Sequence, residues 1–325
     1  MAELRKHPLT NDWVMIASHR QNRPQMPKDY CPFCPGSGKV PEHFDVYEYD
    51  NDFPALSQNP PAPDAVADDF FETAPCYGKC EVILYSPEHT VTLPELPTPH
   101  IRKLVDLWAQ RFEVLSADEK IKYVFIFENR GDVVGVTMPH PHGQIYGYPF
   151  LPKKLELEVE NAEKHMTEKG KCLFCDLLEH EVKFGERVIF RNDYFTVFLP
   201  FFTEYPYGVY IMSNSHKSNI TQFTDAERDA LAETLRCTAG MLDSLFDYKF
   251  PYMMCMYNEP VNGEKNYGDI FHWHIAFYPP MRSATKIKYN ASSETGAWAH
   301  CNPTAPEEKA EELRAAYKKF IQKGE

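Results

Sequence analysis

The chain has 325 residues, of which 43% are hydrophobic and 25% charged, as in a globular protein with a sizeable core. Its formal net charge of −13 excludes a general nucleic-acid binder, because such a protein needs a basic surface. No apolar run approaches the roughly 20 residues that span a bilayer. The sequence begins without the apolar centre of a signal peptide, so the cytoplasm is the expected location.

The first half is predicted to contain strands and then helices. A helix is predicted over 99–115, since apolar residues recur there at helical spacing after Thr98 as N-cap and Pro99 in the first turn. A second, solvated helix is predicted over 153–169. Strands are indicated by β-branched and aromatic runs at 13–18, 80–86 and 122–129.

The second half repeats this order of elements. One helix is predicted over 224–246 with Thr224 as its cap, and another over 305–321 with Pro306 at its start. Strands are predicted at 187–190, 194–199, 207–212, 252–257 and 272–278.

The reactive residues of the two halves also follow one order. Each half carries a Cys-x2-Cys pair, then a Ser-x-x-His stretch, then a His-x-His stretch. The residues concerned are Cys31, Cys34, His89, His140 and His142 in the first half, and Cys172, Cys175, His216, His272 and His274 in the second. This repeated order indicates an internal duplication.

Each Cys-x2-Cys pair with its downstream histidines supplies the Cys2His2 set that tetrahedral Zn²⁺ prefers. Four protein ligands leave no position for a metal-bound water, so such sites would be structural. A thiol–disulfide role for the pairs is an alternative. The other five cysteines are expected to pack as small buried hydrophobes: Cys76, Cys80, Cys237, Cys255 and Cys301.

The stretch MPHPHGQIYG, residues 138–147, favours nucleophilic catalysis at phosphorus. In a strand, His140, His142 and Gln144 would line one face. A hydrogen bond from one ring nitrogen of His142 to a carbonyl would leave the lone pair of the other for attack. Gln144 can donate a hydrogen bond to a phosphate oxygen but cannot transfer a proton. The leaving group must therefore be one that departs readily without being protonated, as a phosphate does. The alternative is a purely structural histidine pair.

The second copy lacks this chemistry. Ala276 stands where Gln144 stands in the first copy and offers no hydrogen bond to a phosphate. Its neighbours Trp273, Ile275 and Phe277 give the other face of the strand a core-like character. The second copy is therefore predicted to be catalytically silent.

The stretch FENRGDVVGVTMPHPHGQIYGYPFLP, residues 127–152, resembles galactose-1-phosphate uridylyltransferases of the histidine-triad superfamily. Supporting stretches cover nearly the whole chain in order, and His-Pro-His-x-Gln is the specific signature of this family. The resemblance implies an α+β fold of two fused histidine-triad-like repeats, each a mainly antiparallel sheet with packed helices. The repeats are predicted at 1–165 and 166–325, in a homodimer.

The resemblance implies a double displacement that exchanges UMP between UDP-glucose and galactose 1-phosphate through a uridylyl group on His142, with Gln144 on the transferred phosphate. The first zinc site would use Cys31, Cys34, His89 and His140, and the second would use Cys172, Cys175, His216 and His272. Other substrate contacts implied at matched positions are Arg20, Arg23, Asn51, Asp52, Phe53, Asn129, Gly135, Thr137, Lys288, Tyr289 and Glu294. Lys288, Tyr289 and Glu294 lie in a tail that often serves the second subunit of a dimer.

The sequence departs from the family pattern in two places. Some members hold iron through a histidine where this chain has Tyr257, which argues against an iron site. In its place comes the second Cys-x2-Cys, which resembles the zinc pattern of simpler histidine-triad proteins. The tail 281–298 also diverges from the best-known bacterial form, which leaves the acceptor sugar open.

Two other functions fit the same residues. One is transfer of AMP, by a sugar-phosphate adenylyltransferase or a dinucleoside polyphosphate phosphorylase, since the same His and Gln serve either base. The other is a non-catalytic, zinc-stabilised nucleotide-binding module. A nucleotidyl adduct detected by intact mass would separate all three.

Overall fold

The structure, a computed structural model, describes residues 2–22, 30–136 and 138–324. Its strands are β1 Glu3–His7, β2 Asp12–Ile16, β3 Tyr47–Asp50, β4 Thr73–Pro75, β5 Lys79–Leu84, β6 Tyr123–Arg130, β7 His142–Tyr148, β8 Val188–Arg191, β9 Phe195–Phe198, β10 Tyr210–Ser213, β11 Tyr252–Tyr257 and β12 His274–Tyr278. Its α-helices are α1 Thr98–Ser116, α2 Lys153–Lys169, α3 Leu173–Phe184, α4 Asp225–Phe246, α5 Ser292–Ala297 and α6 Pro306–Gly324.

Nine of these strands form one sheet in the order β3-β5-β7-β6-β11-β12-β10-β9-β8, with antiparallel neighbours throughout. A small antiparallel sheet, β2-β1-β4, stands beside the first repeat. The expected antiparallel architecture with packed helices is confirmed. The two repeats contribute the two halves of one continuous sheet.

The halves of the sheet meet where β6 pairs with β11. Phe127 lies opposite Cys255 across this joint. Gln144 is opposite Phe127 on the outer side of β6, and Ala276 is opposite Cys255 on the outer side of β11. The four residues therefore share one row across the sheet, and the positions matched in sequence, Gln144 and Ala276, are related by a local two-fold axis through the joint.

One face of the sheet, here called the helix face, packs against α1 and α4. It carries the fully buried row Ile145, Ile126, Met256 and Ile275, which joins a single core with Trp108 of α1 and Leu235 of α4. Burial of each such side chain stabilises the fold by about 1.5–3 kcal/mol. The opposite face, here called the site face, carries the row Gln144, Phe127, Cys255 and Ala276.

The site face is covered differently in its two halves. Leu155, Val159 and Ala162 of α2 pack over the second half in one cluster with Ala276. The solvated helix predicted at 153–169 is thus amphipathic, with one stripe buried. The first half has a cavity at the start of β7, lined in part by His142.

Most predicted elements are confirmed, with shifted ends. The N-cap of α4 is Thr224, in a capping box with Glu227. The N-cap assigned to Thr98 is wrong, because Thr98 is already helical and Pro97 caps α1. The prediction that Cys301 is buried is wrong, because this cysteine is exposed. No helix in the described ranges combines the length and apolarity that a membrane span requires.

Candidate active site and metal centres

His142 is the first residue of β7 and is partly exposed. Its ring nitrogen Nδ1 lies 2.7 Å from the carbonyl oxygen of His140. Because a carbonyl oxygen only accepts hydrogen bonds, Nδ1 carries the proton. The other ring nitrogen, Nε2, then keeps its lone pair, which is the arrangement that nucleophilic attack requires.

Gln144 follows two residues later on the same face of β7 and is partly exposed. Its side-chain oxygen accepts a hydrogen bond from the Tyr146 hydroxyl at 3.3 Å. This bond orients the amide so that its nitrogen is the end that can donate to a ligand oxygen.

The first Cys2His2 set is assembled in space. The ligand atoms of Cys31, Cys34, His89 and His140 all lie within 4.8 Å of one another. The Sγ–Nδ1 distances are 3.7 Å from Cys31 to His140, 3.6 Å from Cys34 to His140 and 3.4 Å from Cys34 to His89. Tetrahedral zinc with ordinary bond lengths would place such atoms about 3.6 Å apart. These residues therefore fit a zinc ion.

The second Cys2His2 set is assembled in the same way. The ligand atoms of Cys172, Cys175, His216 and His272 also lie within 4.8 Å of one another. Cys175 Sγ lies 3.2 Å from Nδ1 of His216 and 3.3 Å from Nδ1 of His272. The hydrogen bond shared by the two thiols lowers the pKa of Cys172 and raises that of Cys175. The pair thus gives up one proton readily and the second only beside a cation.

Three of the four ligand histidines have their second ring nitrogen bonded. Nε2 of His140 donates to the carbonyl of Ser86 at 2.8 Å, and Nε2 of His216 donates to that of Gly268 at 2.7 Å. Nε2 of His272 lies 3.0 Å from the carbonyl of Ser213. These bonds direct each Nδ1 toward the cluster, as outer partners of metal ligands do.

Ser86 and Ser213 begin the two Ser-x-x-His stretches, so each stretch supplies both a ligand and the acceptor that orients another ligand. Sequence reasoning assigned only the histidine of each stretch. The signal that could have found the acceptor was the serine that stands three residues before the histidine in both stretches.

The aromatic residue inside each Cys-x2-Cys contacts the second histidine of the matching His-x-His. The ring of Phe33 lies 5.9 Å from that of His142, and the ring of Phe174 lies 5.4 Å from that of His274. Sequence reasoning missed both contacts, although the repeated Phe was visible in CPFC and CLFC. Through Phe33, the first metal cluster is packed directly against the candidate nucleophile.

His274 repeats the local geometry of His142 in a closed environment. Its Nδ1 donates to the carbonyl of His272 at 2.9 Å. The ring is buried and stacks on Tyr210 and Tyr257, and burial lowers its pKa to about 3. His274 is only 3% exposed, whereas His142 is partly exposed.

The residues matched to nucleoside contacts are Asn51, Asp52 and Phe53. They directly follow β3, which is the edge strand of the half of the sheet that contains β7. The Asn51 side chain accepts from the backbone N–H of Phe53 at 2.9 Å. Asp52 is held by Lys39 and by the Tyr49 hydroxyl, both at 2.6 Å. The loop is therefore shaped before any ligand arrives.

Of the residues matched to phosphate contacts, Asn129 lies beside the candidate site, since it lines the same cavity as His142. Burial raises the pKa of the Cys80 thiol on β5, and the nearby Arg20 guanidinium opposes this. Asn129 is in β6 on the site face. Gly135, with φ of 81°, uses its N–H for a turn to Asp132, so that N–H is engaged. Arg23 and Thr137 lie outside the described residues.

The tail residues lie beside the second repeat. Lys288 is buried, sits 3.5 Å from Glu294 and lies over the ring of Tyr205, which contacts Tyr278 of β12. Tyr289 is 73% exposed. Strand β12 is three strand spacings, roughly 14 Å, from β7. The structure therefore does not bring these three residues together with His142 of the same chain.

A third group of possible metal-binding side chains consists of Glu48, Asp50 and Glu81. Glu81 is fully buried and forms two hydrogen bonds with the Arg111 guanidinium of α1, and Lys79 pairs with Asp50. Since Glu81 and Asp50 are paired with protein cations and burial raises the pKa of Glu48, the group is an ion-pair cluster between sheet and helix.

The comparisons with known proteins cover both repeats. The model of the galactose-1-phosphate uridyl transferase N-terminal domain matches residues 1–152, and that of the C-terminal domain matches residues 158–318. A galactose-1-phosphate uridylyltransferase of Thermotoga maritima is 41% identical over 315 residues, covering 97% of this chain and 98% of the relative.

Solved structures give the same result. A solved uridylyltransferase superimposes with a TM-score of 0.90 at 31% identity, covering 98% of this chain and 99% of the other. An ADP-glucose phosphorylase from Arabidopsis thaliana, solved with bound ADP-glucose, has a TM-score of 0.74 at 24% identity, covering 97% and 99%. The second likeness extends to the fold alone.

Proposed function

The chain belongs to the galactose-1-phosphate uridylyltransferase family and is a transferase of galactose metabolism. From that premise, we propose that it exchanges UMP between UDP-glucose and galactose 1-phosphate in two displacements through His142. The observation that carries this proposal is the 2.7 Å bond from His142 Nδ1 to the carbonyl of His140, since it leaves Nε2 as the nucleophile.

In the first displacement, the Nε2 lone pair attacks the α-phosphorus of UDP-glucose. A nitrogen–phosphorus bond forms, and the bond from that phosphorus to the bridging oxygen breaks. Glucose 1-phosphate departs as an anion and needs no proton. The imidazole becomes positively charged, and the hydrogen bond from Nδ1–H to the carbonyl of His140 stabilises that charge.

In the second displacement, a phosphate oxygen of galactose 1-phosphate attacks the same phosphorus. The nitrogen–phosphorus bond breaks, UDP-galactose leaves and neutral His142 is restored. One difficult exchange is thus divided into two easier ones. Gln144 donates from its amide nitrogen to a non-bridging oxygen in both steps, which stabilises the transferred group without moving a proton.

Both Cys2His2 clusters are proposed to hold Zn²⁺ in structural roles. The first would be held by Cys31, Cys34, His89 and His140, and the second by Cys172, Cys175, His216 and His272. Zinc bound by four side chains fixes the backbone around them, including the carbonyl of His140 that orients His142. An iron site is not proposed.

The remaining substrate contacts stay proposals. Asn51, Asp52 and Phe53 would receive the uridine, while Arg20, Arg23, Asn129, Gly135 and Thr137 would meet the phosphates. Lys288, Tyr289 and Glu294 would bind the hexose phosphate of the partner subunit in a homodimer, which suits their distance from His142 in their own chain. The division into repeats at 1–165 and 166–325 and the cytoplasmic location also stay predictions.

The proposal is tested by weighing the intact protein after mixing it with UDP-glucose or with ADP-glucose. We expect one uridylyl group per chain from UDP-glucose, and its loss on addition of galactose 1-phosphate. The His142→Gly variant should form no adduct. His274→Gly is the matched control, since it removes the equivalent histidine of the closed copy and should leave the adduct intact.

Three results would contradict the proposal. An adduct that persists in His142→Gly would place the nucleophile elsewhere. An adenylyl adduct from ADP-glucose, with none from UDP-glucose, would change the transferred nucleotide. Nucleotide binding without any adduct would leave only a binding module.

A further inference from the structure

The backbone on either side of His142 contacts Tyr85, a residue to which no catalytic role has been assigned. We infer that Tyr85 is a positioning residue for His142, because its backbone and its phenol contact the chain on both sides of that histidine. This inference rests on the proposed function, since it concerns the aim of the same ring.

The backbone of Tyr85 fixes the residue before His142. Its N–H donates to the carbonyl of Pro141 at 3.0 Å. The carbonyl of Tyr85 in turn accepts from Nε2 of His100 in α1 at 2.7 Å. The ring is 1% exposed and packs edge-on against Trp108 at 5.9 Å. Tyr85 is therefore anchored in the core between the helix face and α1.

The phenol of Tyr85 fixes the residue after His142. Gly143 lies between His142 and Gln144, and its side-chain position is directed toward the helix face. A Cβ placed there would come closer than 3.0 Å to the Tyr85 hydroxyl oxygen, and would lie 3.0 Å from the carbonyl oxygen of Phe127. The hydroxyl thus lies directly against Gly143, and the space for any larger residue is filled.

The hydroxyl itself is the unusual part of this contact. It is buried and has no hydrogen-bond partner of normal geometry among the described residues. Its polar neighbour is the Glu128 carboxyl group, but a contact without normal hydrogen-bond geometry stabilises the fold little, and a phenylalanine would fill the same core space. We therefore look for the role of this hydroxyl in the segment that it contacts, which carries His142.

A polar group faces this hydroxyl on the helix face. Burial, and next the Glu128 carboxylate, raise the pKa of Tyr85. One oxygen of Glu128 accepts from the Tyr252 hydroxyl at 3.1 Å, and the other has no partner among the described residues. Tyr85 and Glu128 line a cavity of about 420 Å³ that reaches His140 and His142. The phenol is thus held between the Glu128 carboxyl group and Gly143.

The result is a chain segment fixed at Pro141 by one end of Tyr85 and at Gly143 by the other. His142 lies between these two points, so the direction of its Nε2 follows the position of Tyr85. A misplacement of a reacting group by about 1 Å costs on the order of a hundredfold in rate. Loss of this support should therefore slow the chemical step while leaving substrate binding unchanged.

The test uses four forms of the full chain: wild type, Tyr85→Phe, Gly143→Ala and the double variant. The rate of adduct formation on His142 is measured in single turnovers over a range of UDP-glucose concentrations, together with the Tm. Tyr85→Phe should react about tenfold more slowly at saturation, with an unchanged half-saturating concentration and a Tm that is equal or higher. A merely structural hydroxyl would not give this combination.

Gly143→Ala should react on the order of a hundredfold more slowly, because the new Cβ meets the hydroxyl. The double variant should recover at least tenfold of that loss. Removing the hydroxyl oxygen leaves the ring carbon Cζ, 3.1 Å from the new Cβ, as the nearest Tyr85 atom, which a small shift can accommodate.

Gly240→Ala is the matched control. Its Cβ would also collide with an aromatic ring, that of Phe320, but at the α4–α6 contact far from β7. It should lower the Tm and leave the adduct rate unchanged. Wild-type speed in Tyr85→Phe, or a double variant no faster than Gly143→Ala, would overturn this inference alone. Absence of the adduct on the wild-type chain would instead overturn the proposed function.

Discussion

The rings of His142 and His274 have the same local hydrogen-bond geometry but different surroundings. Both rings donate from Nδ1 to the carbonyl two residues earlier, at 2.7 Å and 2.9 Å. The tautomer is therefore set by the His-x-His stretch itself. Reactivity is set by the surroundings, since His142 is partly exposed and His274 is enclosed by aromatic rings.

The buried Glu128 makes the stability of the fold depend on pH. Burial raises its pKa from 4.5 to about 7. Between these values the folded chain keeps a proton that the unfolded chain has lost, so stability falls as the pH rises through this window. Glutamine has no such proton. Glu128→Gln should therefore gain stability relative to wild type between about pH 5 and about pH 8, by at most about 3 kcal/mol.

Urea unfolding of both proteins at several pH values measures this difference. Glu158→Gln is a suitable comparison, since burial also raises the pKa of that carboxyl group but it lies next to Lys154 in α2. A Glu128→Gln curve parallel to that of wild type over the whole range would show that Glu128 is ionised in the folded chain throughout.

The two cysteine pairs sit in different kinds of element, although their sequences are alike. Cys31 and Cys34 lie in a loop whose Phe33 contacts His142. Cys172 is the N-cap of α3 and Cys175 lies in its first turn, so the second pair is held by a helix that packs on α2. Loss of metal should therefore affect catalysis at the first cluster and stability at the second.

This difference predicts separate effects of Cys34→Ser and Cys175→Ser. Each should lose about one zinc per chain in metal analysis. Cys34→Ser should slow adduct formation at least tenfold, because the CPFC loop no longer holds Phe33 and His140 in place. Cys175→Ser should lower the Tm and keep the rate of the folded protein within about twofold of wild type.

Cys301→Ser serves as the control, since Cys301 is exposed and belongs to neither cluster. It should match wild type in zinc content, Tm and rate. Equal rates in Cys34→Ser and wild type would break the link between the first cluster and the nucleophile.

At the scale of the whole molecule, the sequence predicted what depends on short spacings. The Thr224 cap was readable from neighbouring residues, and the two Cys2His2 sets were readable because three short motifs, each far from the next, recur in the same order in both halves. Helix α3 was missed, although it carries Cys175, since its short apolar pattern follows directly on the cysteine motif. The β6–β11 joint was also missed, because strand pairing between residues such as Phe127 and Cys255 leaves no local signal.

The single sheet predicts that the repeats depend on each other. A piece comprising residues 1–152 would expose the edge of β6 and apolar residues that share a core with α4, including Ile126 of β6 and Trp108 of α1. Expressed alone, it should be insoluble or form no adduct. Co-expressed with 153–325, it should co-purify with that piece and become uridylylated, as measured by the mass of each piece.

A 1–152 piece that is monomeric and forms the adduct by itself would contradict this interdependence. The control is the same pair with Met254→Pro, which places a proline in β11 opposite Glu128 of β6 and should disrupt the pairing of these two strands and prevent co-purification.

Helix α2 connects the repeats and also lies over the second one, where Leu155 and Val159 pack in one cluster with Ala276. Helix α2 therefore both joins the two repeats and covers the position in the second repeat that is equivalent to the open site of the first. Restoring a glutamine at Ala276 would therefore not create a second reactive centre, since the side chain would press into the underside of a helix. The path of the chain between the repeats thus distinguishes the two sides of an otherwise symmetric sheet.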